Sequence, residues 1–216
     1  MFLDKLKRNG MQRTNKRNII LSQSYYSLMI VLFLFSLLAC SQSSSRKAVV
    51  ASYERAYNAH QVDSLLVLFT ENAQYEFTGM ETPLVGKEAI AEKARYDSTL
   101  DSQIKLIIER TKRDTVFVNA MESNNWLFTA GLQPNVYSSI AFVIVNGKIK
   151  RVRAELSEPS VAAINAVMGA LIPWAQENEP EKLGRLLSGG GFAYNRESAV
   201  LSLELLDNWH QANRIH

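Results

Sequence analysis

The apolar residues of this chain fall into one long run near the amino terminus and a series of shorter, periodic segments after it. The run extends from Leu28 to Cys40 and is about a dozen residues long, whereas a helix that crosses a bilayer needs ~20. Six Lys or Arg side chains precede it, and a Ser/Gln-rich stretch follows it at once. This arrangement predicts a secretory signal peptide, with an ordinary transmembrane anchor as the alternative.

Helical periodicity follows the apolar run. Apolar residues spaced three and four apart place Tyr53 and Tyr57 on one stripe of a helix over residues 47–60. A second helix follows Asp63, whose side chain can cap it. Alternating polar and apolar residues then predict a half-buried strand over residues 73–78, before a third helix. The predicted order is helix, helix, strand, helix.

Further along, the period changes from roughly 3.6 residues to two. Strands are predicted over residues 103–112, 115–121, 126–132, 136–145 and 149–156. Asn146-Gly147 is a strong two-residue hairpin turn between the last two strands. Strands joined by hairpins form an antiparallel sheet, and the helices are expected on one of its faces. The predicted fold class is therefore α+β.

The chain ends with a helical segment from Ser157 to His216. A helix begins at Glu158-Pro159, and Pro173 is expected to end or kink it. A last helix spans Asn195 to about Gln211. The apolar faces are one-sided, so these helices must cap the domain's own sheet or pair with another subunit. Gly189-Gly190-Gly191 indicates a helix stop and hinge, because no Lys or Ser/Thr follows at the spacing of a phosphate loop.

Charge and cysteine content narrow the range of functions. The whole chain has 24 Lys/Arg and 21 Asp/Glu residues, a formal net charge of +3. Six of the basic and one of the acidic residues precede Cys40, which leaves 18 and 20. The later part is therefore slightly acidic and has no basic footprint for nucleic acid. Because Cys40 is the only cysteine, no internal disulfide can form, and stability must come from a packed core.

The tetrapeptide Leu37-Leu38-Ala39-Cys40 resembles the lipobox of bacterial lipoproteins. The resemblance implies that Cys40 is acylated and becomes the mature amino terminus, which makes the lipid bilayer a partner. Ser41 directly after the cysteine resembles the sequence of lipoproteins that are sorted to the outer membrane by default. The predicted location is therefore the cell envelope, and its outer membrane if the cell has one. The predicted divisions are a signal peptide over 1–39, the acylated Cys40 with a Ser-rich tether over 40–46, a main domain over 47–157 and a helical extension over 158–216.

Three stretches of the main domain carry a family resemblance: the block from Tyr53 to Phe77, Leu84-Val85-Gly86-Lys87-Glu88-Ala89-Ile90, and the Asn146-Gly147 hairpin with the strand that follows it. Together they resemble the nuclear-transport-factor-2-like (NTF2-like) superfamily, which includes SnoaL-like polyketide cyclases and ketosteroid isomerases. It implies a cone-shaped, curved antiparallel sheet packed on the N-terminal helices, with a ligand hollow between them. The same fold serves enzymes, carriers and assembly domains, so it implies little about function.

Ketosteroid isomerase offers a residue-by-residue comparison. Its first-helix tyrosine, which donates a hydrogen bond to the developing oxyanion, matches Tyr53. Its proton-abstracting acid matches Phe77, and its second, protonated acid falls near Ser139. Neither residue can replace those acids, so isomerase activity is not expected. Glu109, on a long predicted strand, is the candidate for a substitute general base beside Tyr53.

Aromatic side chains on the elements around the hollow are the candidates for a ligand pocket. They are Tyr53, Tyr57, Tyr75, Phe77, Trp126 and Tyr137. An apolar cavity with a few hydroxyls is typical of a small-molecule site, and equally of a solid hydrophobic core. Three scattered His residues and one Cys give no metal constellation, and no nucleotide-binding motif is present, so no metal and no cofactor are predicted.

Three interpretations of function follow. The first is a membrane-anchored, non-catalytic module that binds a small hydrophobic ligand or a protein partner. The missing isomerase acids are the reason to interpret it as non-catalytic. The second is a SnoaL-like cyclase, isomerase or dehydratase that acts on a hydrophobic carbonyl compound through Tyr53 and an acid. The third is a homodimer paired through the C-terminal helices. A carboxylate within hydrogen-bond reach of the hollow would favour the enzyme over the carrier.

Overall fold

The structure is a computed structural model that describes residues 45–80, 82–187 and 191–213. Cys40, the predicted signal segment and most of the Ser-rich tether lie outside these residues. The elements in chain order are α1 (45–58), α2 (Val62–Val67), β1 (Phe69–Phe77), β2 (Leu84–Val85), α3 (Lys87–Thr99), β3 (Gln103–Lys112), β4 (Thr115–Ser123), α4 (Asn125–Thr129), β5 (Asn135–Val145), β6 (Lys148–Leu156), α5 (Glu158–Asn178), α6 (Pro180–Leu186) and α7 (Arg196–Asn213). The fold class is α+β, as predicted.

Six strands form one curved sheet in the order β2-β1-β6-β5-β4-β3. The strands β3 to β6 pair antiparallel with their sequence neighbours, as the hairpin pattern predicts. The prediction of an antiparallel sheet needs one correction, because β1 runs parallel to β6, with Tyr75 opposite Val152. No hairpin joins these two strands, and a connection that passes through α3 and the rest of the sheet permits parallel pairing.

The main hydrophobic core lies between the sheet and the helices α1 and α3. Tyr53 lies inside it, with its ring centroid 5.1 Å from that of Phe142 and 5.8 Å from that of Tyr57. The pairing register shifts within the β3–β4, β4–β5 and β5–β6 ladders. Such bulges bend strands, and they account for the curvature of the sheet around the helices.

A second hydrophobic core joins α5, α6 and α7. Its buried residues are Leu171, Ala175, Leu186, Leu201, Leu205 and Leu206. Helix α7 also contacts α3 and α4. Residues 45–216 form one compact unit that contains both cores. The C-terminal helices therefore have partners on their own domain. Over the described residues, no helix is both long and apolar enough to cross a bilayer.

The predicted strand over residues 126–132 is wrong, because Asn125–Thr129 is the short helix α4. Asn124 precedes it in an extended conformation, and its side chain accepts a hydrogen bond from the backbone N–H of Leu127 at 2.9 Å. Asparagine at this position is a strong helix start. The capping hydrogen bond outweighs the apolar pattern that suggested a strand. Trp126 therefore lies in a helix and not in the sheet.

Pro173 does not end its helix, since α5 continues to Asn178; of the two predicted alternatives, the kink stays a prediction. A proline inside a helix removes one backbone hydrogen bond and crowds the preceding turn. Leu171 and Ala175 flank it and are both buried in the second core. Packing on either side of Pro173 therefore keeps the helix continuous through a position where local preference would end it.

Candidate functional site

A cavity of about 320 Å³ lies where α3, the carboxyl-terminal ends of β1 and β4, the start of β5 and the helical extension meet. Its apolar and aromatic lining consists of Phe77, Tyr96, Leu100, Trp126, Leu127, Tyr137, Ile164, Met168, Leu171, Leu186, Leu187, Phe192 and Tyr194. Its polar lining consists of Lys93, Asp97, Glu122, Asn124, Asn135 and Ser202. Eight of these nineteen residues follow residue 157, so the helical extension completes the cavity.

Lys93 and Asp97 form a buried ion pair on the cavity side of α3. The Lys93 Nζ lies 2.6 Å from the Asp97 Oδ2, and the two side chains are 11% and 9% exposed. The same ammonium lies 4.9 Å from the centre of the Tyr75 ring, in cation–π geometry. Burial alone would lower the pKa of Lys93, but the adjacent Asp97 carboxylate raises it above its ordinary value, so the lysine stays charged.

Glu122 lies at the end of β4 and is also buried. The Tyr57 hydroxyl donates a hydrogen bond to its Oε1 at 3.3 Å, and the Tyr137 hydroxyl donates a short hydrogen bond to its Oε2. Burial raises the pKa of Glu122, and the Asp97 carboxylate raises it further. Lys93 and the two tyrosine donors act in the opposite direction. Burial also raises the pKa of both tyrosines, so they remain protonated donors.

Aromatic rings form one wall of the cavity. Tyr96, Phe192 and Tyr194 contact one another edge to face, with ring centroids 5.2–5.7 Å apart. Phe77 joins this group, with its centroid 6.5 Å from that of Tyr194 and 6.1 Å from that of Tyr137. The wall therefore combines a strand, helix α3 and the segment before α7. It offers an aromatic, mostly apolar surface to the cavity that also contains the charged groups.

The predicted pocket residues occupy three kinds of position. Phe77, Trp126 and Tyr137 line the cavity. Tyr57 does not line it but donates its hydroxyl to Glu122. Tyr53 and Tyr75 are buried in the main core behind the cavity, and Tyr75 lies under the Lys93 ammonium. Tyr53, the predicted hydrogen-bond donor, is thus a core residue in this structure.

Glu109 does not reach the hollow, and the prediction of a general base at this position is corrected. Its side chain is 48% exposed and pairs with Arg110 at 2.5 Å. The β3–β4 register shifts between Ile108 and Arg110, so Glu109 is the extra residue of a bulge, and it follows a stretch of β3 in which Ile104 and Leu106 face the core. Ser139 is half-buried and bonds to Glu155, so neither residue replaces the missing acid.

The charged groups of the cavity were missed from the sequence. Lys93 and Asp97 have the spacing of an ordinary surface pair on a helix, and nothing local marks them as buried. Glu122 did carry a signal, because it continues the alternation of the buried residues Val116, Val118 and Ala120 along β4. An acid in phase with a buried stripe indicates a functional or paired carboxylate.

No metal centre is found. Among residues 45–80, 82–187 and 191–213, no three His, Cys, Asp or Glu side chains lie close enough together to hold an ion. The two cavity carboxylates instead have a lysine and two tyrosines as partners. The site therefore offers proton donors, proton acceptors and one fixed positive charge.

Replacing Glu122 by Gln is expected to change how stability depends on pH. Because the native pKa of Glu122 lies above its ordinary value of 4.5, the native state holds this proton more tightly than the unfolded chain does. The stabilisation that comes from this tighter proton binding is fully present below pH 4.5 and is lost as pH rises through the native pKa. Gln cannot ionise. The free energy of unfolding of the variant, taken relative to that of the wild type, should therefore increase as pH rises.

Urea denaturation of both proteins from about pH 4 to pH 8 checks this expectation. Glu109→Gln is the matched control, because it removes an exposed carboxyl from the same sheet. If the wild type and Glu122→Gln curves run parallel over the whole range, the assigned direction of the Glu122 shift is wrong.

Comparison with family models gives no match, and neither does comparison with curated proteins. Among solved structures, the similar folds include those of NTF2-like proteins, the group that the sequence resembles. Every structure described below is less than 25% identical to this chain. The likeness therefore concerns the fold and says nothing about the reaction or ligand.

Three structures illustrate the range of proteins with similar folds. SalBIII, an epoxide hydrolase/cyclase-like enzyme in pyran ring formation in polyether salinomycin, is 23% identical with a TM-score of 0.48, over 55% of this chain and 95% of its own. An NTF2-like protein of unknown function from Cytophaga hutchinsonii is 10% identical with a TM-score of 0.43, over 54% and 94%. A protein from Sinorhizobium meliloti described as a polyketide cyclase is 19% identical with a TM-score of 0.43, over 50% and 94%.

Proposed function

We propose that the domain binds a small, mostly apolar molecule in the cavity, with an oxygen-bearing group of that molecule beside Lys93, Asp97 and Glu122. The cavity volume of about 320 Å³ lies at the lower end of the range of small-molecule sites. Its lining is largely aliphatic and aromatic, with a smaller number of polar side chains that include Lys93, Asp97 and Glu122. Such a lining buries an apolar body and orients a polar end.

The buried charges beside an open cavity are the observation that carries this proposal. Burying an ion costs free energy, and an ion pair inside a protein often stabilises no more than well-packed apolar side chains would. A fold under selection for stability alone would have no need of Lys93, Asp97 and Glu122 together. Their position at a cavity of ligand size favours a role in recognition or chemistry.

Binding of a neutral fluorescent naphthylamine, N-phenyl-1-naphthylamine, tests the proposal without knowledge of the natural ligand. The expected result is saturable binding at one site per chain with a strong rise in emission, because the dye leaves water for an apolar cavity. Emission that rises without saturation would reflect surface adsorption and would contradict the proposal.

Acid–base catalysis is the second candidate, and the hydrogen bonding of Glu122 favours it. This carboxyl is buried, has a raised pKa and accepts hydrogen bonds from two tyrosines. A carboxyl with a pKa closer to neutrality is a better general acid and base. On a hydrophobic carbonyl compound, Glu122 would move a proton at the carbon next to the carbonyl, and the tyrosines would orient the carboxyl.

Exchange of hydrogen for deuterium in D₂O, followed by NMR on a panel of cyclic ketones, tests this candidate. If Glu122 is the base, the wild type accelerates exchange next to the carbonyl and Glu122→Gln loses at least about a hundredfold of that acceleration. Glu109→Gln, at the exposed carboxyl, should exchange as the wild type does. Equal rates for all three proteins and for buffer alone would leave the binding proposal standing and remove the catalytic one.

The proposal also includes membrane anchoring through Cys40. It is supported by the lipobox-like Leu37-Leu38-Ala39-Cys40, the basic flank and the short apolar run. Cys40→Ala is expected to abolish incorporation of labelled palmitate and to move the protein from the membrane fraction to the soluble one, or to leave an unprocessed precursor. Ser41→Ala is the matched control and should keep the label. Unchanged labelling of Cys40→Ala would contradict acylation at this residue.

A further inference from the structure

Two hairpins place exposed basic side chains at one end of the sheet. Lys112 and Arg113 lie at the β3–β4 turn, and Lys148 follows the β5–β6 turn. The backbone N–H of Ile144 donates to the carbonyl oxygen of Asp114 at 2.7 Å, which holds the two turns side by side. All three basic side chains are exposed and none takes part in a salt bridge within the described residues.

The start of helix α1 points toward the same end. The Asn58 side chain bonds to the backbone of Ile104, and the Glu54 carboxylate accepts from the N–H of Leu106 at 3.2 Å. The four residues of helix from Asn58 back to Glu54 cover about 6 Å, and the two residues of strand from Ile104 to Leu106 cover about 7 Å, so the two elements run side by side. Toward its N-terminus, α1 continues along β3 in the same direction, and its exposed residue Lys47 lies near the end of β3 at the β3–β4 hairpin.

Helix α2 adds an apolar residue at this end. The carbonyl oxygen of Leu68 accepts from the N–H of Ile149 at 2.7 Å, next to Lys148. Val67 precedes it and is 65% exposed. Basic side chains around an exposed apolar residue are a common composition for surfaces that contact lipid headgroups.

The positive charge of this end is local. The chain after Cys40 has 18 basic and 20 acidic residues, a slight acidic excess. Of the acids near the hairpins, Glu109 is paired with Arg110 and Glu71 is paired with Lys87, which leaves Asp114 at the turn itself. Four exposed basic residues, Lys47, Lys112, Arg113 and Lys148, thus lie at the end of the domain where α1 begins.

We propose that this basic end, defined as Lys47, Val67, Lys112, Arg113 and Lys148, docks on the anionic headgroups of the bilayer. The proposal rests on the proposed anchoring through Cys40, because it concerns the membrane that holds the lipid. Cys40 is five residues from Ser45, so a fully extended chain keeps the acyl group within about 17 Å of the start of α1. A domain held this close presents its basic end to the bilayer surface, where each Lys or Arg adds attraction to anionic lipid.

Docking in this orientation fixes the position of the cavity. Strand β4 runs from Thr115 at the basic end to Glu122 at the cavity, which is about 23 Å along an extended strand. The cavity therefore lies on the side of the domain away from the lipid. Its ligand would enter from the aqueous phase rather than from the bilayer.

Vesicle flotation of the unacylated chain from Ser41 onward tests the docking surface apart from the anchor. Residues 45–216 contain both cores in one compact unit, so this chain can be studied without its lipid. The expected result is binding to phosphatidylglycerol-rich vesicles at low salt, with little binding to pure phosphatidylcholine and release at high salt. Hydrogen exchange on those vesicles should slow at residues 110–114 and 146–150 and stay unchanged at residues 186–196.

Two double variants with the same change in net charge complete the test. Lys112→Glu with Lys148→Glu should weaken binding to the anionic vesicles by at least about tenfold. Arg185→Glu with Arg196→Glu, on α6 and α7, should leave it unchanged. Absence of wild-type binding, or an equal loss in both double variants, would overturn the docking proposal. The palmitate label on Cys40 reports on the anchor separately, so failure of either idea can be told from failure of the other.

Discussion

Replacing Lys93 by Met is expected to lower the free energy of unfolding by about 3–5 kcal/mol, the usual cost of removing one partner of a buried ion pair. The substitution removes the cation 2.6 Å from Asp97 and leaves that carboxylate buried without its ion-pair partner. It also removes the cation above the Tyr75 ring. Urea denaturation at neutral pH measures the loss.

An exposed pair provides the control for this prediction. Arg185 and Glu197 are 2.6 Å apart with side chains 62% and 60% exposed, so Arg185→Met should cost less than about 1 kcal/mol. Lys93→Met combined with Asp97→Leu should recover most of the stability, because the uncompensated charge is then gone. Equal costs for Lys93→Met and Arg185→Met would mean that the Lys93–Asp97 pair is solvated rather than buried.

Filling the cavity is expected to abolish ligand binding with little effect on stability. Met168 lines the cavity from α5 and is only partly buried, so Met168→Trp can place its indole in the open space. We expect the affinity for N-phenyl-1-naphthylamine to fall at least about a hundredfold, because the dye and the indole compete for the same volume of about 320 Å³. Fluorescence titration measures the change.

Val200→Trp is the matched control for the filled cavity. Val200 lies on α7, is 39% exposed and does not line the cavity, so an indole there should leave dye binding unchanged. If Met168→Trp binds the dye as tightly as the wild type does, the dye and the proposed ligand site lie elsewhere.

The order of helices and strands could be predicted from the sequence because it depends on local signals. The alternation along residues 136–145 and 149–156, with Asn146-Gly147 between them, leaves one pairing register that buries the apolar face. The parallel pairing of β1 with β6 could not be predicted in this way, because it is set by which sheet edge is free once the hairpins have formed. The hydrophobic pattern identifies a strand, whereas the strand that pairs with it is determined by the whole fold.

The candidate site was predictable only in part. Phe77 and Tyr137 were expected at the hollow and do line the cavity, because both lie at positions of their strands whose side chains face inward. Glu109 was misplaced although the alternation of buried Ile104 and Leu106 assigns it to the outer face of β3, and it is also the extra residue of a bulge. Lys93 and Asp97 gained their significance from the C-terminal helices that close the cavity, and no local pattern carries that information.

Two local exceptions have the same origin. Pro173 remains inside α5, where tertiary packing holds the helix. Trp126 lies in α4 rather than in a strand, because the Asn124 side chain caps the helix start. In both cases a specific contact of a few atoms outweighed a preference averaged over many residues.

The central claim is that the cavity beside Lys93, Asp97 and Glu122 holds a small molecule. Native mass spectrometry of residues 41–216, purified without detergent from the parent cell, tests it most directly, with Met168→Trp prepared in parallel. The account predicts a reproducible added mass on the wild type that is lost on denaturation and is missing from Met168→Trp. A wild-type chain that carries no added mass, or an added mass that Met168→Trp retains, would contradict it.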